Sequence, residues 1–514
     1  RLNMNNASAA TNLPEPPSTI STDTSFFGHP RGLATLFFTE MWERWGYYGM
    51  RALLILFMTA TVADGGLGFD VAKAGAIYAM YTSLVYFANL PGGWVADRIL
   101  GQRKSVLYGG IVITLGHFTM AIPGMATFYL GLVLIIFGTG MLKPNISVMV
   151  GQMYSETDIR RDSGFSIFYM GINLGAFIAP LVTGYLGEKV DWHMGFAAAG
   201  VGMALGVLQY LIGGKYLGNA GRVSASAEEQ SESKALLFKV LGGLIVAIGA
   251  VTALAMTGVI QVSEEGISNA YGIMLLVTVA GFFTWLFTRP YWSADERKRL
   301  YVIAVLFVAA AVFWSFFEQA GSSLNLFADD FTNRTLPGWF PFVNGEFPAS
   351  WFQSVNALFI IALAPLFAWL WVYLAKRKKE PSSPGKFVFG LLFVGLGFVV
   401  MAFAAMMSQA GAKVSPNWLI LTYLLHTIGE LSLSPVGLSA MTKLAPTRVV
   451  SLMMGVWFLA ASVGNFMGGF LVRFYETLAL PVLFGIMAAF AIAVSVVLAL
   501  MVRPIRNMMV GTKH

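Results

Sequence analysis

No cysteine occurs in the 514 residues, which excludes disulfides, thiol nucleophiles and Cys-based zinc or iron–sulfur sites. The five histidines are scattered, so a His-rich metal cluster is excluded as well. Charge is scarce: 11% of residues are charged, against about 25% in soluble domains. No N-terminal apolar core marks a signal peptide. Residues 1–30 are rich in Ser, Thr and Asn and carry Pro14, Pro16 and Pro17, the composition of a disordered tail. No nucleotide-binding loop, nucleophile–base pair or metal-ligand cluster is present, so nothing suggests an enzyme.

What is abundant is apolar. Hydrophobic residues make up 57% of the chain and the mean hydropathy is +0.69. They gather into about fourteen runs of roughly 20 residues, the length that crosses about 30 Å of hydrocarbon at 1.5 Å per residue. The expected fold class is therefore an all-α polytopic membrane protein. The net charge of +7 then bears on membrane sidedness rather than on nucleic acid.

Six spans fill residues 31–216, a linker and an inserted helical hairpin occupy 217–297, six more spans fill 298–503, and 504–514 form a second tail. With this topology, connecting segments carry about 24 Lys and Arg on the side of the termini and about five on the other. Both termini are thus expected in the cytoplasm, in a bacterial-type inner membrane. Two six-helix halves joined by a long linker resemble the plan of the major facilitator superfamily, with a substrate site between the halves at mid-membrane. The stretch Gly92-Gly93-Trp94-Val95-Ala96-Asp97-Arg98-Ile99-Leu100-Gly101-Gln102-Arg103-Lys104 is similar to that superfamily's G-x-x-x-D-R-x-x-G-x-R/K turn.

Seven charges lie well inside predicted spans: Glu40, Glu43, Arg44, Arg51 and Lys143 in the first half, Glu318 and Glu430 in the second. Each costs at least ~2.5–3.5 kcal/mol at a helix centre unless rewarded. Three positives and two negatives face two negatives and no positive, so some pairs must cross between halves. Such a pair holds the halves together on one side of the membrane until protonation or a ligand breaks it. Glu40, Glu43, Tyr47 and Arg51 share one helix face with Arg44 on its flank, and Arg44 lies roughly 16 Å inside the run. Two carboxylates within a turn of each other beside one Arg can hold a proton between them.

Glu40-Met41-Trp42-Glu43-Arg44-Trp45-Gly46-Tyr47-Tyr48-Gly49 resembles the E-x-x-E-R-F-x-Y-Y-G signature of the proton-dependent oligopeptide transporters. Gly138-Thr139-Gly140-Met141-Leu142-Lys143-Pro144-Asn145 and Phe168-Tyr169-Met170-Gly171-Ile172-Asn173 are similar to two further signatures of that family. So are Phe313-Trp314-Ser315-Phe316-Phe317-Glu318-Gln319, Gln353-Ser354-Val355-Asn356, Gly429-Glu430-Leu431-Ser432-Leu433-Ser434-Pro435 and Gly455-Val456-Trp457-Phe458. Two departures stand out. Trp45 replaces the usual Phe, a packing change, and the second span lacks the His that some members carry, so coupling must rest on carboxylates. His117 and His426 read as satisfied core histidines, the latter one turn before Glu430 and placed to tune it.

The resemblance implies proton-coupled import of di- and tripeptides by one chain acting as a monomer, with no cofactor and no metal beyond the coupling proton. It implies proton coupling at Glu40, Glu43, Arg44 and Glu318. It implies a peptide pocket at Tyr48, Arg51, Tyr86, Lys143, Tyr169 and Asn173 in the first half and at Trp314, Gln353, Asn356, Glu430, Ser434 and Trp457 in the second. For the aromatic residues taken singly, helix packing explains their presence equally well. Charge polarity points the same way: a short peptide is a zwitterion about 6 to 10 Å between its ends, and Arg51 with Lys143 suits its carboxylate as Glu430 suits its amine. Depth suggests two gates, Arg51 with Glu318 toward the outside and Lys143 with Glu430 toward the cytoplasm. A nitrate or other small-anion transporter on the same fold, or a non-transporting nutrient receptor, is the alternative. Glu318 and Glu430 argue against an anion-only site, and the lack of a soluble signalling domain argues against a receptor.

Overall fold

A computed structural model describes residues 23–509 except 156, 224, 261–262, 337–344, 410 and 447–448. Fourteen long helices cross in sequence. The first bundle holds α1 (Arg31–Thr59), α2 (Val71–Phe87), α3 (Gln102–Met120), α4 (Met125–Gln152), α5 (Arg161–Lys189) and α6 (Trp192–Gly213). The inserted hairpin is α7 (Ala227–Met256) and α8 (Glu264–Thr288). The second bundle holds α9 (Ala294–Phe317), α10 (Gln353–Lys376), α11 (Ser383–Ser408), α12 (Asn417–Leu444), α13 (Val450–Val472) and α14 (Leu480–Met508). Among the described residues there are isolated β-bridges and no strands. An even number of crossings brings both chain ends to one face, the terminal face; the other is the far face.

Eleven of these helices are long and apolar enough to span by themselves. The other three deviate for visible reasons. α1 carries Glu40, Glu43, Arg44 and Arg51, α2 stops after 17 residues, and α3 begins with Gln102, Arg103 and Lys104. The second span is expected to be continuous, but it changes course at Ala88, restarts as a short helix (Asn89–Val95) and ends in a π-helical turn (Ala96–Leu100). Pro91 has no N–H for the Phe87 carbonyl, which interrupts the helix there, and α4 packs close against the interruption: a Cβ on Gly140 would stand 2.7 Å from the Ala88 carbonyl. The seventh span is broken too: after α9 comes a 3-10 turn (Glu318–Gly321), then a short helix (Ser323–Asp330).

Boundaries also shift at the ends. The tail 1–30 lies outside the described residues up to residue 22. Its last part is packed: His29 is buried and its Nδ1 lies 2.8 Å from the Tyr154 hydroxyl. α14 runs past residue 503 to Met508, and 510–514 lie outside the described residues.

In a membrane, apolar burial does not drive helices together, so small residues and polar contacts must. Gly175 on α5 sits directly on the Met41 carbonyl of α1, leaving no room for a Cβ. Trp45 packs its ring on Gly202 of α6 and donates to the Ala198 carbonyl at 3.0 Å, as a packing substitution should. The bundles meet along two seams, α2 with α13 and α5 with α10. Ser83 of α2 donates to the Ser462 carbonyl at 2.7 Å on the first seam, where Tyr271 of α8 joins them at 2.7 Å from Ser83 Oγ. One buried apolar cluster crosses both bundles and includes Leu53–Met58, Phe327 and Val472 near the far face. A second, around Leu36, Ile146 and Met203, belongs to the first bundle alone.

Candidate functional site

α1 places the charged residues of the first bundle on one face. Arg44 Nε lies 3.3 Å from Glu40 Oε1, and the same guanidinium pairs with Glu43; all three side chains are buried. Among the described residues no hydrogen-bond donor reaches the buried Glu40 Oε2 or Glu43 Oε1. Two carboxylates thus face one guanidinium, and one added proton makes the cluster neutral. Lys143 of α4 lies alongside, its Nζ 4.2 Å above the Tyr86 ring and 6.0 Å from that of Tyr47.

Two turns further along α1, Arg51 crosses to the second bundle. Its Nη2 lies 3.0 Å from Glu318 Oε2, and its Nε donates to the Tyr78 hydroxyl at 2.8 Å. Asn325 of the short helix donates to the Ala52 carbonyl at 2.8 Å. Glu188 at the end of α5 accepts the backbone N–H groups of Ala349 and Ser350 at 2.7 and 2.9 Å, capping from the other bundle the 3-10 turn (Ala349–Phe352) that leads into α10. Arg334 lies 3.8 Å from the same carboxylate. Trp351 and Ser354 donate to the Leu181 and Phe177 carbonyls of α5 at 3.0 and 2.7 Å. These contacts fasten the far face.

The terminal face is different. Among the described residues no carboxylate lies within ion-pair distance of Lys143, and Glu430 makes no ion pair; its Oε2 accepts from Asn356 Nδ2 at 3.0 Å. The pair expected between Lys143 and Glu430 is therefore open, whereas that between Arg51 and Glu318 is closed. Beside the closed pair lies a narrow cavity whose lining includes Tyr48, Arg51, Phe317, Gln353, Asn356 and Tyr423.

Of the expected pocket residues, Tyr48, Arg51, Gln353 and Asn356 line this cavity, and Glu430 adjoins it through Asn356. Asn356 also contacts Thr427 at 2.9 Å, and Gln353 donates to the Ala320 carbonyl and to the Tyr423 hydroxyl. Tyr169, Asn173 and Ala176 fall on one face of α5; Ala176 lines the cavity and Tyr169 is 38% exposed, so this face turns into it. Trp314 stands edge-on to Phe317, and Ser434 is partly exposed. Trp457 is packed on Gly437 and 7% exposed, which makes it a wall of the bundle.

Both histidines depart from expectation. His117 is fully buried against Gly46, but among the described residues neither ring nitrogen has a hydrogen-bond partner. His426 lines the cavity. Tyr423, Tyr78, Glu188 and Arg334 escaped the sequence reading. Tyr423 was within reach, since it lies seven residues before Glu430 and shares its helix face.

A family model described as the POT family (PTR2) matches residues 103–487. The peptide transporter YePEPT of Yersinia enterocolitica is 43% identical over 502 residues, covering 95% of this chain and 97% of that protein. A di-/tripeptide transporter of Lactococcus lactis subsp. cremoris is 39% identical over 496 residues, covering 95% and 98%. Among solved structures, a peptide transporter POT in complex with sulfate superposes with a TM-score of 0.87 at 42% identity, covering 95% of this chain and 97% of that one. A POT family transporter in complex with 5-aminolevulinic acid gives 0.86 at 35%, covering 95% and 99%.

Proposed function

The chain belongs to the POT family of transporters, and from that premise we propose that it is a proton-coupled symporter importing di- and tripeptides by alternating access. It is a multi-pass membrane protein and a transporter rather than an enzyme. The observation that carries the finer reading is the polarity of the cavity. Arg51, with Lys143 beyond it, stands on the first bundle, and Glu430, held by Asn356 rather than by a cation, stands on the second. A peptide spanning the cavity meets opposite charges at its two ends, whereas an anion alone leaves Glu430 without a counter-charge.

The Arg44 cluster supports the proton as coupling ion, since it needs one proton for neutrality and no cofactor. The closed Arg51–Glu318 pair with the open Lys143–Glu430 pair supports two gates, in a state open to the terminal face. The excess of Lys and Arg there supports a cytoplasmic position for both termini in a bacterial inner membrane.

The test is uptake into proteoliposomes of labelled dialanine and of nitrate, with and without an inward proton gradient. Gradient-dependent accumulation of dialanine is expected, and nitrate uptake without dialanine uptake would refute the substrate class.

A further inference from the structure

Gln319, next in sequence to the gating Glu318, is a fully buried amide inside the break of the seventh span. Its hydrogen bonds join three separate pieces. Nε2 donates to the Ser315 carbonyl of α9 at 3.0 Å and to the Gly468 carbonyl of α13 at 2.7 Å. Oε1 accepts from Ser323 Oγ at 2.6 Å, the first residue of the short helix beyond the break. Donor and acceptor are thus used on opposite sides of Ser322, whose φ of −130° and ψ of −100° interrupt the helix.

The surroundings are shaped for this amide. A Cβ on Gly468 would stand 2.6 Å from the Ser315 carbonyl and 3.3 Å from Gln319 Nε2, so only glycine lets that carbonyl reach it. Likewise a Cβ on Gly321 would strike the Tyr78 hydroxyl and come within 2.7 Å of Arg51 Nε. The short helix is in turn bonded to α1 through Asn325 and Ala52. To open the far face, Glu318 must leave Arg51 and the short helix must leave α1. The hinge available for that is the break at Gly321–Ser322, and the bond from Ser323 to Gln319 is the side-chain bond that spans it.

We propose that Gln319 is a positioning residue of the transport cycle: it pins the broken seventh span in the bend that presents Glu318 to Arg51, and so biases the protein toward the far-face-closed state. The inference rests on the alternating-access reading. Removing an interior hydrogen bond from one of two states shifts their ratio by roughly tenfold.

The absence of native cysteines makes the test direct. Spin labels are placed at Val62→Cys in the first bundle and Thr335→Cys beyond the short helix, both exposed on the far face. Distances are measured in nanodiscs by electron–electron double resonance. Gln319→Met keeps the length and removes every hydrogen bond; it should raise the long-distance population roughly tenfold. Ser323→Ala, which removes only the bond across the hinge, should shift it in the same direction by less. Thr422→Val deletes an equally buried hydroxyl bonded within the second bundle and should leave the distances unchanged. If Gln319→Met and Ser323→Ala both match the parent, or Thr422→Val shifts it equally, the pin is refuted. The parent labelled at the same sites is also measured with dialanine at acid pH. Failure of that sample to change distance would count against alternating access, independently of what the variants do.

Discussion

Arg51 and Glu318 face each other at 3.0 Å across the boundary between the two bundles, both almost fully buried. Breaking such a pair from one side leaves a lone charge and costs about 3–5 kcal/mol, whereas replacing both by apolar groups is often neutral. Glu318→Leu should therefore lower the thermal midpoint sharply, and Arg51→Met with Glu318→Leu should recover most of it while transport stays lost. Thermal unfolding in detergent decides this. A double variant that falls by the sum of the singles would mean that the two side chains act independently.

The cluster of Glu40, Glu43 and Arg44 should carry the coupling proton. Glu43→Gln removes one of its two carboxylates, so gradient-driven uptake should vanish while counterflow of peptide persists, because exchange needs no proton release. Normal accumulation under a gradient in that variant would end the assignment.

How much of this was legible depends on how each residue announces itself. A charge in an apolar run is conspicuous, so Glu40, Glu43, Arg44, Arg51, Lys143, Glu318 and Glu430 were readable, and helix periodicity gave the common face of α1. Gln319 was not, since an uncharged amide in a span differs little from one facing water until its partners on α13 and the short helix are seen. Glu188 lies at the end of a span, where a carboxylate is ordinary. Its role arises from the turn before α10, 161 residues away, which no local pattern encodes. The break at Ala88 was legible in Pro91, whereas the one at Ser322 is held by side-chain bonds that hydropathy cannot register.

Glu188 puts a carboxylate from the first bundle on the first N–H groups of the 3-10 turn that leads into α10, where an anion and a cap each contribute about 1 kcal/mol. These bonds join the two bundles on the far face, so opening that face must break them. Glu188→Ala should raise the far-face-open population roughly tenfold. Glu188→Gln, which retains one acceptor oxygen but loses the charge facing Arg334, should fall between. The spin-label pair described above measures both, and an unchanged distribution in Glu188→Ala would remove this contact from the gate.

Outside the membrane, His29 anchors the segment that precedes α1. Burial, with the Arg160 guanidinium beside it, pushes its imidazole below the ordinary value of 6.5. The docked segment therefore favours neutral His29. Docking is fully present above the ordinary pKa, weakens as pH falls below it, and levels off below the docked value. Amide exchange at Phe26 and His29, which bond each other's carbonyls at 3.0 and 2.9 Å, should quicken at about pH 5 relative to about pH 7.5 after correction for intrinsic rates. His29→Phe should abolish the difference. Equal pH dependence in parent and variant would show that another group governs the segment.

The polarity of the cavity fixes how a peptide must lie: its amino terminus toward Glu430, its carboxylate toward Arg51 and Lys143. At 4 Å and an effective dielectric near 20, a unit charge pair is worth about 4 kcal/mol before desolvation, and a reversed peptide sets like charges together at both ends. Each terminus can be removed separately. N-acetylation should weaken binding to the parent strongly, yet weaken binding to Glu430→Gln little further, because the partner is already gone. Carboxyl amidation should couple in the same way to Arg51→Ala or Lys143→Ala and not to Glu430→Gln. Since Arg51 is engaged with Glu318 while the far face is closed, the coupling in that state should be larger for Lys143, whose ammonium has no carboxylate partner among the described residues. Calorimetric titration of dialanine and its two capped forms against the parent and each variant gives the cycle. If N-acetylation and Glu430→Gln prove additive in binding free energy, the peptide lies the other way, or Glu430 gates without touching it.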